Sequence, residues 1–127
     1  MANGQSIRGG RFPAISFRQP AADEILSRKR ARDRRSRPSR FRGWILVHAS
    51  SARGDGAREA ERGKILGMVE LADCVADGGG WEYVWRKPRR FRSGIAFRGH
   101  YSIPFYVPVR LLHGTAATKV TPGELVK

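Results

Sequence analysis

Residues 64–75 read KILGMVELADCV, the longest stretch of the chain that suits a β-strand. After Lys64, only Glu70 and Asp73 interrupt its apolar residues. Residues 44–49 read WILVHA, an almost continuous apolar run whose length and β-branched content favour a buried strand. Residues 77–80 read DGGG and predict a turn, because three successive glycines gain nothing from a regular element.

Shorter strand candidates lie on both sides of these stretches, at residues 12–17, 82–85, 95–97 and 105–112. Pro88, Pro104 and Pro108 should confine their strands to sheet edges or strand ends, because proline cannot donate a ladder hydrogen bond. Residues 50–62 are polar and glycine-containing, which predicts a loop or a short helix there.

One short helix is predicted over residues 21–27, where Pro20 suits the first turn and the early positions Asp23 and Glu24 are acidic. Many short strands with one early helix indicate an α+β or mainly β fold, a small β-barrel with one or two short helices. We expect a flexible lead-in at residues 1–11, one domain at 12–113 and a tail at 114–127.

The 127 residues include 25 Lys and Arg against 11 Asp and Glu, a formal net charge of +14. One domain is expected at this length, and such a charge predicts a polyanionic partner. The single cysteine, Cys74, excludes an internal disulfide and favours a reducing compartment. We find no apolar run suited to a signal peptide or a membrane span, so we expect a cytoplasmic protein without a membrane partner.

The positive charge is concentrated in two blocks, residues 28–42 and 86–92, whereas residues 44–80 are net acidic. Twenty of the 25 cations are arginine, which favours bidentate phosphate contacts and stacking on bases. Phe41 and Phe91 lie inside the two blocks, and aromatic platforms beside cations are typical of single-stranded nucleic-acid binding. We therefore expect RNA or single-stranded DNA as the partner, with a ribosome, another nucleoprotein or an acidic protein as further candidates.

Three stretches, in this order, resemble the ASCH domain family of the PUA-like superfamily. They are ISFRQPAADEILS at residues 15–27, RFRGWILVHAS at 40–50 and GKILGMVELADCV at 63–75. The resemblance covers roughly residues 12–112. It implies a PUA-like β-barrel whose cleft, lined by the Gln-Pro turn, the helix end and two central strands, receives RNA or a nucleotide.

Some members of the family are similar to ribonucleases or to amidohydrolases that act on acetylated cytidine. The family segment Gly-x-Lys-Thr-x-Glu-x-Arg corresponds here to residues 27–34, which keep Lys29 and Arg34. Arg30 stands at the threonine position and Arg32 at the glutamate position. Arg32 also stands where the amidohydrolases carry their nucleophilic threonine, and it has no hydroxyl to attack an acyl group. Deacetylation by that mechanism is therefore disfavoured.

Several candidate site residues allow two interpretations. Lys29 is a phosphate ligand or, if burial lowers its pKa, a base. His48 faces the cleft or satisfies a backbone carbonyl in the core. Glu70 forms an ion pair or acts as a catalytic or base-reading carboxylate. Gln19 reads a base edge or braces its loop. Ser50 is placed beside the cleft only by the resemblance.

The function predicted from the sequence is nucleic-acid binding by a monomer, with no metal and no cofactor, since the histidines show no metal-ligand spacing. The alternative is a metal-independent ribonuclease, or another nucleotide-directed hydrolase, in which Lys29 and His48 share acid–base catalysis. The predicted nucleic-acid contacts are Gln19, Arg28, Lys29, Arg30, Arg32, Arg34, Arg35, Arg40, Arg42, His48, Ser50, Glu70, Arg89, Arg90 and Arg92.

Overall fold

The computed structural model describes residues 10–51 and 60–119. Most of the predicted lead-in (residues 1–9), the centre of the predicted 50–62 loop (52–59) and the end of the predicted tail (120–127) lie outside the described residues. The described elements are β1 (Arg11–Phe17), α1 (Ala21–Leu26), β2 (Arg32–Arg35), β3 (Gly43–Ala49), β4 (Lys64–Asp77), β5 (Gly80–Ala96), β6 (Phe105–Pro108), and two 3₁₀ turns at Val109–Leu112 and Ala116–Lys119.

The strands form one six-stranded mixed sheet in the order β2-β5-β4-β3-β1-β6. β1 and β3 are parallel, and the other neighbouring pairs are antiparallel. The predicted mainly β fold with few helices is confirmed. The sheet is not a closed barrel, because hydrogen bonding in the described residues leaves β2 and β6 as its two edges.

The sheet buries side chains on both faces. All seven residues of β3 are buried, and they alternate between two apolar clusters. Ile45 and Val47 pack in the cluster that contains the helix residues Ile25 and Leu26. On the opposite face, Trp44 and Leu46 pack with residues of β6 and the 3₁₀ turns. A strand in the middle of the sheet with both faces covered explains the continuous apolar run of its sequence.

The strands expected at residues 12–17, 44–49 and 64–75 and the short helix are confirmed by β1, β3, β4 and α1. The separate strands expected at 82–85 and 95–97 are wrong, because both belong to the 17-residue β5. The strand expected at 105–112 ends at Pro108 and continues as a 3₁₀ turn. β2 was not predicted, because its residues belong to the first arginine block.

Pro88 is accommodated inside β5 by an irregularity in the ladder. The β4–β5 register shifts between Met68 and Glu70, and Lys87 has a positive φ of 56°. β2 pairs only with residues 81–84 of β5, so in the described residues the second half of β5 has β4 as its single strand neighbour. The amide proton that proline lacks would have no strand partner on this side of β5, so its loss costs little stability. Pro88 therefore lies at a sheet edge, as predicted for a proline.

Helix α1 packs closely against β4 and β5, and Gly67 makes this approach possible. A Cβ at position 67 would lie 2.8 Å from Leu26 Cδ2 and 3.0 Å from Arg90 Cα, and closer still to the Arg89 carbonyl oxygen. The Asp23 carboxylate also accepts a hydrogen bond from Arg90 at 2.7 Å. These contacts fix the end of α1 relative to the centre of β5.

We expect Gly67→Ala to lower the free energy of unfolding by about 1–3 kcal/mol, because its methyl group has no space beside backbone atoms. Gly94→Ala is the matched control. Its added methyl group would meet the side chains of Lys64 and Leu66 at 3.0 and 3.1 Å, and Lys64 can move aside. Urea unfolding of both variants measures the difference. Equal destabilisation by the two substitutions would contradict the close approach of α1.

Candidate functional site

A cleft of about 340 Å³ lies between the segment that follows α1 and the irregular part of β5. Four cationic residues line it, two from each side: Arg28 and Arg30 after the helix, and Arg86 and Lys87 on the strand. Trp85, on the α1 face of the sheet, supplies an apolar part of the wall. Arg86 and Lys87 belong to the second positive block, residues 86–92, although they were not named individually among the predicted contacts.

Two unusual backbone conformations shape the cleft, one on each side. Arg28 has a φ of 68°, so the chain turns sharply as it leaves α1. The amides of Lys29 and Arg30 then both donate to the Glu24 carbonyl oxygen, at 2.9 and 3.1 Å. Lys87, beside Pro88, is the other non-glycine residue with a positive φ in the described part of the chain. Non-glycine residues rarely adopt this conformation, and when they do they often occur at ligand sites.

The cleft keeps an excess of positive charge after its ion pairs are counted. Arg30 pairs with Glu24, while the buried Glu70 carboxylate lies 3.7 Å from Arg86 and 3.9 Å from Lys87. The ion-pair interpretation of Glu70 is thus the one that the geometry supports. Arg28 is exposed and has no carboxylate partner among the described residues. Four cations and two carboxylates leave two positive charges in excess.

The Trp85 side chain is held in place by aromatic neighbours. Its ring meets Phe17 edge-on with centroids 5.3 Å apart, and Tyr83 lies 6.0 Å away. Its indole N–H is buried and has no hydrogen-bond partner within the described part of the chain. The rigid indole gives the cationic cleft an apolar wall, and a wall of this kind lowers the local dielectric and strengthens charge interactions beside it.

The structure divides the predicted arginine contacts into two groups. All eight carboxylates in residues 10–51 and 60–119 lie within 4 Å of a cation. Arg32 and Arg34 are bound across strands by Glu82 and Asp77, while Arg42 and Arg90 face Asp73 and Asp23. The predicted contacts that have no carboxylate partner in the described ranges are Arg28, Lys29, Arg40, Arg89 and Arg92.

The Arg35 side chain packs against neighbouring residues of the sheet and is mostly buried. Its guanidinium group lies 4.9 Å from the centre of the Phe17 ring and 5.6 Å from that of Tyr83. It also pairs with Asp33 and donates to the Ser16 carbonyl oxygen at 3.0 Å. A partly buried guanidinium with this many contacts is unavailable to a phosphate. The prediction that Arg35 contacts nucleic acid therefore has no support in the geometry.

His48 is buried on the face of β3 opposite α1, where its ring meets Phe105. Its Nε2 lies 2.7 Å from the Phe97 carbonyl oxygen, and its Nδ1 lies 2.9 Å from Ser16 Oγ. A carbonyl oxygen can only accept, so Nε2 carries the proton and Nδ1 accepts from the serine hydroxyl. Both ring nitrogens are thus already engaged, and the core interpretation of His48 is the one that the structure supports.

The structure does not bring Lys29 and His48 together. Lys29 is exposed beside the cleft on the α1 side, whereas His48 is sealed on the other face of the sheet. Gly99 closes the histidine site, since a Cβ there would lie 2.6 Å from His48 Cε1 and 2.7 Å from Ser16 Oγ. Shared acid–base catalysis by Lys29 and His48 therefore lacks the geometry that it requires.

Gln19 and Ser50 are held at strand ends. The Gln19 amide donates to the Glu61 carbonyl oxygen at 2.9 Å and accepts from the Asp23 amide at 3.0 Å, so it braces the start of α1. The Ser50 amide donates to the Phe17 carbonyl oxygen at 2.9 Å, which joins the ends of β1 and β3. The bracing interpretation of Gln19 is the one that these bonds support.

The chain matches no protein-family model, and no curated protein is significantly similar to it. In residues 10–51 and 60–119, no group of three or more His, Cys, Asp or Glu side chains is arranged to hold a metal ion. No helix in those ranges has the length and apolar character needed to span a membrane. The resemblance to the ASCH family stays a prediction, carried by the sequence stretches alone.

Burial lowers the pKa of His48 below its ordinary value of 6.5, and the hydrogen bond to Phe97 only partly opposes this effect. The folded state therefore favours neutral His48, and the unfolded chain binds the proton more readily. This contribution to stability is fully present above pH 6.5 and is lost as the pH falls through the lowered pKa. We expect the free energy of unfolding to decrease over that range.

Urea unfolding between pH 7.5 and pH 5 measures this dependence. The substitution His48→Gln should reduce the slope, while the exposed His100→Gln should leave it unchanged. An identical slope in the wild type and in both variants would show that His48 is not the group responsible.

Proposed function

We propose that this protein is a nucleic-acid-binding module for RNA or single-stranded DNA, with the cleft between α1 and β5 as its main phosphate site. The observation that carries the proposal is the uncompensated charge of the cleft. Arg28, Arg30, Arg86 and Lys87 line a volume of about 340 Å³, and within residues 10–51 and 60–119 only two carboxylates offset them. Anionic groups of the size of a nucleotide phosphate match this excess in both charge and dimensions.

The surface beside the cleft extends the cationic site along β5. Arg89 and Arg92 are exposed and have no carboxylate partner among the described residues. The Arg89 guanidinium lies 5.7 Å from the centre of the Trp44 ring, so it lies toward the face of the sheet opposite α1 and the cleft. A phosphate chain that leaves the cleft and passes around the open edge of β5 would meet further guanidinium groups on the same strand.

The resemblance to the ASCH family supports the same location. Its three stretches fold into β1 with α1, into β3 and into β4, and the end of α1 and β4 border the cleft. A PUA-like domain in which a cleft beside the helix receives RNA is what the resemblance implies. Arg30 and Arg32, which replace the family's threonine and glutamate, add positive charge and remove the hydroxyl that acyl transfer would need.

Binding is favoured over turnover. The ribonuclease alternative relies on His48, whose ring nitrogens bond to Phe97 and Ser16 inside the core. Incubating labelled RNA with the protein in a chelating buffer tests this alternative directly. RNA that remains intact while binding is observed would agree with a binding module, whereas cleavage that depends on Lys29 would require an enzymatic function.

We expect the affinity for single-stranded RNA to fall steeply as salt increases, because phosphate contacts release counterions. Arg28→Ala should weaken binding of all sequences to a similar extent and reduce the slope of log K against log salt by about one. Arg110→Ala is the matched control, since it removes one exposed cation on the 3₁₀ turn outside the cleft. Fluorescence polarisation at several salt concentrations measures both quantities.

Equal effects of Arg28→Ala and Arg110→Ala would show that only the net charge matters and that the cleft is not the site. Absence of binding to any single strand at low salt would overturn the proposed function itself. Arg34→Ala provides a further comparison, because Asp77 and the Gly78 carbonyl oxygen already hold its guanidinium group. We expect it to weaken binding less than Arg28→Ala does.

A further inference from the structure

Residues 97–104, which join β5 to β6, carry the most exposed large side chain in the described part of the chain. Tyr101 has a relative exposure of 104%, whereas the other large apolar or aromatic side chains in those ranges are at most half exposed. A tyrosine ring offers a flat apolar face with a polar hydroxyl at its tip, the combination that enriches tyrosine at interfaces.

The loop that carries Tyr101 is fixed on the protein by several contacts. The Phe97 amide donates to the Gly63 carbonyl oxygen at 3.1 Å, and its own carbonyl oxygen accepts from His48 at 2.7 Å. Gly99 lies directly against His48 and Ser16, and the His100 ring is 5.7 Å from that of Phe105. Tyr101 therefore projects from an anchored segment, which lowers the entropy lost when a ligand binds it.

Exposed cations lie near this segment. Arg98 precedes Gly99 and has no carboxylate partner in the described ranges. Gly99 packs on Ser16 and His48, which are two residues before the exposed Arg18 and the half-buried Ser50. The loop thus covers the carboxyl ends of the parallel strands β1 and β3, and Arg18 emerges at that same edge.

We propose that residues 97–101 form a second contact for single-stranded nucleic acid, in which an unpaired base stacks on Tyr101 while Arg98 and Arg18 meet the adjacent phosphates. This inference rests on the proposed function and adds a site outside the cleft. An exposed ring on a loop that also carries or adjoins exposed cations fits a polynucleotide, since every base has a π-face and every linkage carries a charge. An apolar protein partner would have to desolvate both guanidinium groups, for which the described part of the chain offers no compensating carboxylate.

The test compares Tyr101→Ala, Tyr101→Phe and Tyr101→Trp for binding of a single-stranded RNA and of the corresponding duplex. Tyr101→Ala should weaken single-strand binding by about 5- to 100-fold, the range found when one base–aromatic stack is removed. Tyr101→Phe and Tyr101→Trp should retain the affinity, because stacking needs the ring and not the hydroxyl. Duplex binding should be unchanged, since paired bases cannot stack on the ring.

Val75→Ala is the control, because Val75 is another exposed apolar side chain, 45% exposed and located on β4. It should leave the binding of single strand and duplex unchanged. The three Tyr101 variants should have the melting temperature of the wild type, since the Tyr101 side chain is fully exposed. The Tyr101→Trp variant should also show greater tryptophan quenching than the wild type when RNA is added.

Suppose that the wild type binds single strands with the expected salt dependence and that Tyr101→Ala binds them equally well. That result would overturn this inference and leave the proposed function standing. An equal loss for single strand and duplex would overturn the stacking contact. A wild type that binds no nucleic acid would overturn both proposals, whereas a wild type whose affinity falls on Arg28→Ala but not on Tyr101→Ala would overturn this inference alone.

Discussion

The burial of β3 on both faces is the constraint on which the rest of the structure depends. Each of its seven residues is buried, and hydrogen bonds join it to β1 on one side and to β4 on the other. Its alternating side chains create two separate apolar clusters, one under α1 and one under β6 and the 3₁₀ turns. The candidate cleft lies on the α1 face of the sheet, and His48 lies on the opposite face. The sheet therefore separates His48 from the cleft, although the adjacent residue Val47 packs on the α1 face.

The second organising feature is the distribution of carboxylates. Asp77 and Glu82 are positioned across from Arg34 and Arg32, which lets an arginine-rich segment pair as β2 at the edge of the sheet. Surface ion pairs of this kind contribute little to stability. Their main effect here is to neutralise part of the first arginine block, which leaves Arg28 and Lys29 beside the cleft and Arg40 without a carboxylate partner in the described ranges.

Much of the fold follows from local sequence, because residues 44–49 and 64–75 carry apolar patterns that only strands can bury. β2 could not be predicted in this way, since its strand conformation comes from pairing with residues 81–84 of β5. For the site, the arginine-rich composition predicts cations but not their partners, because Arg34 and Asp77 are 43 residues apart in the chain and Arg90 and Asp23 are 67 apart. The sequence feature that could have pointed to Arg86 and Lys87 is the adjacent Pro88. A proline inside a long strand indicates an irregular hydrogen-bond ladder, and these two cations lie at that irregularity.

The open side of β5 has a consequence for how the protein behaves at high concentration. In the described residues its second half has no strand on one side, and an exposed edge of this kind normally invites another chain to add a strand. Here Arg89 and Arg92 repel a second copy, and Pro88 interrupts the row of donors. A polyanion that covers those guanidinium groups removes the repulsion, so self-association should be most pronounced near charge neutrality with short polyanions and should reverse when salt or excess polyanion restores a net charge.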